Sequence, residues 1–285
     1  HMIMSCKRLS YALFLTALLL YSINASFEPY QLNGGLVAAV AGRDFCIVAT
    51  DTRMSSGYEI YTRKHLSSRL WSTNTFDSPI CNSDGSLKLL QDTTIPNKHA
   101  TTWIASAGCA ADCEALKRTI RQEVNAASYY KTTLTTDNIA TLLSQTLYTR
   151  RGFPYYSFCV VAGFSSKIIP QVYVYDAIGS FEQVAVATAG MGREVLQPIL
   201  DRLFADSSND KEEEQVSTTK TRIRVVDTHV TCTVDQALQR LVRGYKSVAE
   251  RDIRVGDSVV LVITRQHENG GEVSCRVVTV PLKSH

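Results

Sequence analysis

Few residues in this chain have the type and spacing for bond-making chemistry, and the most telling lie between Asn33 and Gly57. Asp51 closes an apolar run there, with the hydroxyls of Thr50 and Thr52 on either side. A short acid at such a boundary, like Asp252 near the other end, holds turns together through local hydrogen bonds. The six histidines (His1, His65, His99, His229, His267, His285) fall in loops, insertions or termini. None pairs with a Ser or Cys, so a Ser-His or Cys-His nucleophile is not supported. Of the eight cysteines, Cys46 and Cys159 sit inside apolar runs and read as small hydrophobes. Cys109 and Cys113 have helical spacing but no nearby His, so they read as core rather than as metal ligands. Eight cysteines this dispersed do not make a stapled scaffold, and a reducing compartment is expected. No cofactor and no metal is expected.

The elements that position Asp51 are legible around it. Leu36–Ala41 and Phe45–Thr50 are two apolar β-type runs joined at Gly42-Arg43-Asp44, which predicts a hairpin. Both runs are continuously apolar, so the sheet is expected to be covered on both faces. Phe27–Gly35, with one Pro and two Gly, reads as an extended arm into the first strand. Tyr58–Arg63 alternates like a strand, and Lys64–Gly85 reads as a surface insertion containing Trp71 and Pro79. Ser86–Asp92 and Ala100–Ala107 resume strand character. Cys109–Lys131 carries an apolar stripe at steps of three and four, and a second helix starts with its cap at Thr136-Asp137. Arg150-Arg151-Gly152-Phe153-Pro154 ends that helix.

Strands at Phe158–Phe164, Ile168–Tyr175 and Gln183–Thr188 follow, then a helix over Glu194–Phe204. Asp206–Thr221 is a second polar insertion. Thr233 and Gln236 form a capping box opening a helix with Ala237, Leu241, Tyr245 and Val248 inward. A last strand pair, Ser258–Arg265 and Glu272–Leu282, turns at Asn269-Gly270-Gly271. The pattern alone gives an α+β chain with one domain.

Composition excludes more than it assigns. Across 285 residues, 45% are hydrophobic and 20% charged, as in ordinary globular proteins. A net charge of +3, with scattered basic residues, argues against a nucleic-acid partner. Lys7-Arg8 followed by the apolar Leu9–Ile23 has the shape of a signal peptide, and Asn24-Ala25-Ser26 is a formal glycosylation sequon. The stretch is short for a membrane span, and its cleavage region is poor. It is read as an extension, with no membrane partner; export is the rival.

Gly-Gly, a hairpin and then Ala-Thr-Asp-Thr-Arg (Ala49–Arg53) resemble the start of a mature proteasome beta subunit. FEPYQLNGG, RRGFPYY, VYVYDAIGS, LQPILD and AERD strengthen the resemblance, which covers Phe27–Leu282 except the insertions and points to the beta-6 type of the 20S core particle. It implies an N-terminal-nucleophile hydrolase fold: a four-layer αββα sandwich with two antiparallel sheets between helix pairs, as a single domain over 35–285 after an N-terminal extension or pro-segment over 1–34. Active relatives use an N-terminal Thr whose own freed amine serves as base, supported by an Asp and a Lys. Threonines inside a chain, such as Thr50 and Thr52, have no such amine.

By the family's spacing the nucleophile position falls at Gly35, followed by Leu36, and neither carries a hydroxyl. Asp51 matches the Asp. The Lys position is assigned to Ser86, with Lys88 two residues away, about 6 to 7 Å along a strand. The Gly-Ser turn is replaced by Ala189-Gly190-Met191-Gly192; Asp252 matches a later acid, and Val255 stands where a Ser is expected.

The resemblance therefore implies a non-catalytic scaffold with Asp51 and Asp252 as relict acids, and it sets aside an active, self-processing threonine protease. Implied partners are both ring neighbours, the opposite beta ring and the alpha ring, with polypeptide substrates met only through the complex. Cytoplasm and nucleus are the implied locations. Gly163-Phe164-Ser165-Ser166 is assigned as a wall lent to a neighbour's pocket, and Val277–His285 as an arm reaching a neighbour. The family also allows a backbone-held cation near Ala249–Val255, which side-chain spacing does not show.

Overall fold

The computed structural model describes residues 30–74, 93–95, 102–130, 134–205, 228–266 and 273–282. The elements all lie in the compact unit running from Leu32 to His285. The chain begins with β1 (Leu36–Ala41), β2 (Phe45–Asp51), β3 (Met54–Ser56), β4 (Glu59–Thr62), β5 (Leu70–Ser72), β6 (Thr93–Ile95) and β7 (Trp103–Gly108). Helices α1 (Ala110–Tyr129) and α2 (Thr136–Thr149) follow. Next come β8 (Ser157–Phe164), β9 (Pro170–Tyr175), β10 (Phe181–Gln183) and β11 (Val186–Gly190). Helices α3 (Arg193–Ala205) and α4 (Val234–Ala249) precede β12 (Ser258–Gln266) and β13 (Val273–Pro281).

One sheet has the order β11-β1-β2-β12-β13-β6, another β10-β9-β8-β7-β5, and their recorded pairings are antiparallel. Strand periodicity shares β1 and β2 between two cores. Leu36, Ala38, Val40, Phe45, Ile47 and Ala49 face Leu196, Leu200, Leu241 and Tyr245 of α3 and α4. Val37, Ala39, Ala41, Cys46 and Val48 face the second sheet through Trp103, Ala105, Val160 and Val172. That sheet's far side packs Ile104, Val161 and Tyr175 on Leu116 and Ile120 of α1 and Leu143 of α2. The layers are helices, sheet, sheet, helices. Covering both faces is why the hairpin reads as unbroken apolar sequence.

Several expectations need correction. Within Lys64–Gly85, Leu70–Ser72 is a fully buried strand paired with β7, and Trp71 fills the core beneath α1 and α2. Burying an indole offsets the polar composition of its neighbours. The α2 cap is Thr135, whose side chain accepts from Asn138 N–H while the Asn138 side chain accepts from Thr135 N–H. Gln183–Thr188 is not one strand: β10 pairs with β9 in one sheet and β11 with β1 in the other. The C-terminal arm is not free over its first part. Val277–Pro281 pairs with β12, Leu282 is buried, and Leu282 N–H donates to Asp257 O at 2.9 Å. The capping box of Thr233 and Gln236 forms as its sequence predicts. The readings of Leu9–Ile23, Asn24, Ser86–Asp92, Asp206–Thr221 and Asn269–Gly271 lie outside the described residues.

Candidate functional site

The end of the hairpin brings together five chain segments. β2 carries Asp51 between β1 and β12, fully buried, opposite Val259. Its Oδ1 accepts from Leu36 N–H at 2.9 Å and from Arg69 Nη1, and its Oδ2 accepts from Gly256 N–H at 3.3 Å. Arg69 is only 3% exposed in its side chain, so the pair is a desolvated ion pair. Burial pushes the Asp51 carboxyl above its ordinary value of 3.8, against the opposing pull of Arg69 and two amides. Tyr245 of α4 reaches the same place from the helix layer, donating to Leu36 O at 3.1 Å and Ala49 O at 3.0 Å. Burial, then the neighbouring Asp51 charge, raises the Tyr245 phenol well above 10.0, so it remains a donor at neutral pH.

Gly35 fits only because it has no side chain. Its φ is +98°, and a Cβ there would sit 2.4 Å from Arg69 Nη1 and 2.5 Å from Arg69 Cζ. Its carbonyl accepts from Met191 N–H at 2.9 Å. Gly190 is required for that approach, since a Cβ at Gly190 would lie 2.3 Å from Gly35 O. Upstream, Asn33 N–H donates to Gly108 O at 3.0 Å, and Gly108 N–H donates to Gly34 O at 3.3 Å. Ser55 N–H donates to Asn33 O at 3.2 Å, and Ala110 N–H donates to Asn33 Oδ1 at 2.9 Å. Asn33-Gly34 is thus tied by hydrogen bonds to β3 on one side and to the β7–α1 junction on the other.

Ser86, assigned the cation's place in sequence, lies outside the described residues. The cation that meets Asp51 is Arg69, eighteen positions further along the chain. Sequence reasoning missed it because Arg69 lies in a Ser-rich stretch read as surface. The available signal was the short apolar pair Leu70-Trp71 beside it. Asp252 does not join the site: its carboxylate accepts from Arg254 N–H, Nε and Nη2, each at 2.9 Å, within one turn. Val255 is fully buried in the helix-side core. Arg53 instead pairs with Asp257 through Nε at 2.8 Å and Nη2 at 3.0 Å, with Arg63 on the same carboxylate.

The proposed wall is mostly internal. Gly163 and Phe164 end β8 and are buried, with Gly163 O accepting from Cys46 Sγ and Phe164 O accepting from Thr136 Oγ1 at 2.8 Å. Only Ser165 and Ser166, in the following turn, reach the surface. Burial also pushes the Cys46 and Cys159 thiols up to about 12, which fits inert core thiols rather than nucleophiles.

A two-sheet sandwich between helix pairs, with its first hairpin ending on a buried acid, defines the structural class. A family profile described as "Proteasome subunit" matches residues 95–233. The chain is 31% identical over 242 residues to "Proteasome subunit beta type-1" of Danio rerio, covering 85% of this chain and 84% of that one. It is 35% identical over 246 residues to the protein of the same name in Drosophila melanogaster, covering 84% and 86%. "Probable proteasome subunit beta type-6" of Encephalitozoon cuniculi (strain GB-M1) is 30% identical over 244 residues, covering 85% and 68%. The chain belongs to the proteasome beta subunit family.

Proposed function

We propose that this chain is a non-catalytic, beta-6-type scaffold of the 20S core's beta ring. It supports ATP- and ubiquitin-dependent protein degradation by the assembled particle in cytoplasm and nucleus. Its partners in this reading are two ring neighbours, the opposite beta ring and the alpha ring. Substrate polypeptides are met only through the complex. The observation that carries the reading is Gly35-Leu36, where a residue without a side chain and an aliphatic one occupy the nucleophile's place. No hydroxyl is there to attack a carbonyl, and Gly35 N is inside a peptide bond rather than a free amine. At the surface, the Ser165-Ser166 turn is what remains available to line a neighbour's pocket.

The test is intact mass of the chain from its native particle, with and without a mechanism-based probe of threonine proteases. An unlabelled chain that retains Gly35 fits the scaffold. A chain beginning at a new Ser, Thr or Cys and carrying the probe refutes it.

A further inference from the structure

The missing hydroxyl accounts for a lack of chemistry but not for what fills the space beside Gly35. We propose that Arg69 is a built-in plug: its guanidinium, held by Asp51, occupies the volume beside Gly35 and clamps Asn33–Leu36 between Ser55 and the β7–α1 junction. The chain's own upstream segment is thereby held in place beside Asp51. This rests on the scaffold reading and adds a closed state to it.

Three independent features converge on the plug. The first is steric: Nη1, Cζ and Nη2 of Arg69 lie 2.4, 2.5 and 2.8 Å from where a Gly35 Cβ would be. Contacts that close force displacement of one group, and both termini of the guanidinium are committed, to Asp51 Oδ1 and to Asn33 O at 3.5 Å. The second is the strap's backbone, which bonds to β3 on one side and Gly108 on the other. The third is that Arg69 is itself fixed by its backbone: Arg69 N–H donates to Leu66 O at 3.0 Å, and Arg69 O accepts from Ser106 N–H at 2.8 Å. A guanidinium also stays protonated at any physiological pH, so it cannot take part in proton transfer there. Any side chain placed at Gly35 would have to displace that guanidinium.

The experiment is hydrogen exchange of the peptide spanning residues 32–37 in the assembled particle. It compares wild type, Arg69→Ala, and Arg69→Ala with methylguanidinium added. Exchange should quicken by about tenfold or more in the variant, confined to this peptide and residues 106–110. Methylguanidinium should slow it again by refilling the cavity. If Arg69→Ala does not assemble, Gly35→Ala gives the second measurement, because its new Cβ must displace the guanidinium and should produce the same local increase. Unchanged exchange at 32–37 in whichever variant assembles overturns the plug, as does quickening spread over the whole chain or untouched by methylguanidinium. Probe labelling is read on the same samples. A labelled wild-type chain defeats the scaffold reading, whereas an unlabelled chain with unchanged exchange defeats the plug alone.

Discussion

Two carboxylate–arginine clusters sit at the same end of the β2–β12 pairing and behave differently. Asp51 with Arg69 is sealed from water, and burial raises the Asp51 pKa despite its partner. Asp257 has two arginine partners, and the Arg63 side chain is 56% exposed. Desolvation works against ionisation there too, but hydrogen bonds from Arg53 and Arg63 prevail and hold the carboxyl below 3.8. Asp257 and Arg53 are themselves only 9% and 5% exposed, so the second cluster differs by its extra arginine and by the water that reaches it through Arg63. A second counter-charge together with partial access to water decides whether the carboxylate is a net cost that packing must offset or a modest stabilising contact.

The largest effect should come from breaking the sealed pair. Asp51→Ala leaves a guanidinium buried without its counter-charge and two amides unsatisfied, which should cost about 3 to 5 kcal/mol in chemical denaturation. A cost no larger than that of a surface substitution would mean that water reaches Arg69 and that the contrast is wrong. Tyr245→Phe removes one hydroxyl shared by Leu36 O and Ala49 O, with an expected loss of about 1 to 3 kcal/mol in the same assay.

Asp257→Asn tests the open cluster and should lower stability by about 1 to 2 kcal/mol at neutral pH. A depressed carboxylate contributes fully above its unfolded-state pKa and loses that contribution as pH falls through its folded pKa. The variant should therefore match wild type only below the ordinary value of 3.8. His65 adds a pH effect of its own. Burial, then the nearby Arg69 charge, lowers its pKa from 6.5 to about 4, so the folded chain binds fewer protons across that window. Stability should fall as pH drops from 6.5 to about 4, and His65→Gln should flatten that slope. The smallest effect is expected at Arg265 and Asp44, 53% and 45% exposed, where Arg265→Ala should change stability by less than about 0.5 kcal/mol.

Local rules carried the reading wherever an element's pattern is set by its own residues. The hairpin, the stripe of α1 and the Thr233–Gln236 box follow from periodicity and capping chemistry. They failed where a distant partner decides. Trp71 lies in a Ser-rich stretch, yet the space between α1, α2 and the second sheet draws it inward. Val184 and Ala185 look like the middle of one strand, but the chain crosses there from one sheet to the other.

The candidate site divides the same way. The sequence by itself determined that Gly35 and Leu36 carry no nucleophile and that Asp51 ends a strand buried on both faces. A missing functional group is a local fact, and an unbroken apolar run is a local signature of two-sided burial. Only the tertiary structure decided which cation meets Asp51, that Arg69 fills the space beside Gly35, and that Asp252 turns away to Arg254. Those outcomes depend on how far a side chain reaches across folded layers, and separation along the chain does not encode that reach.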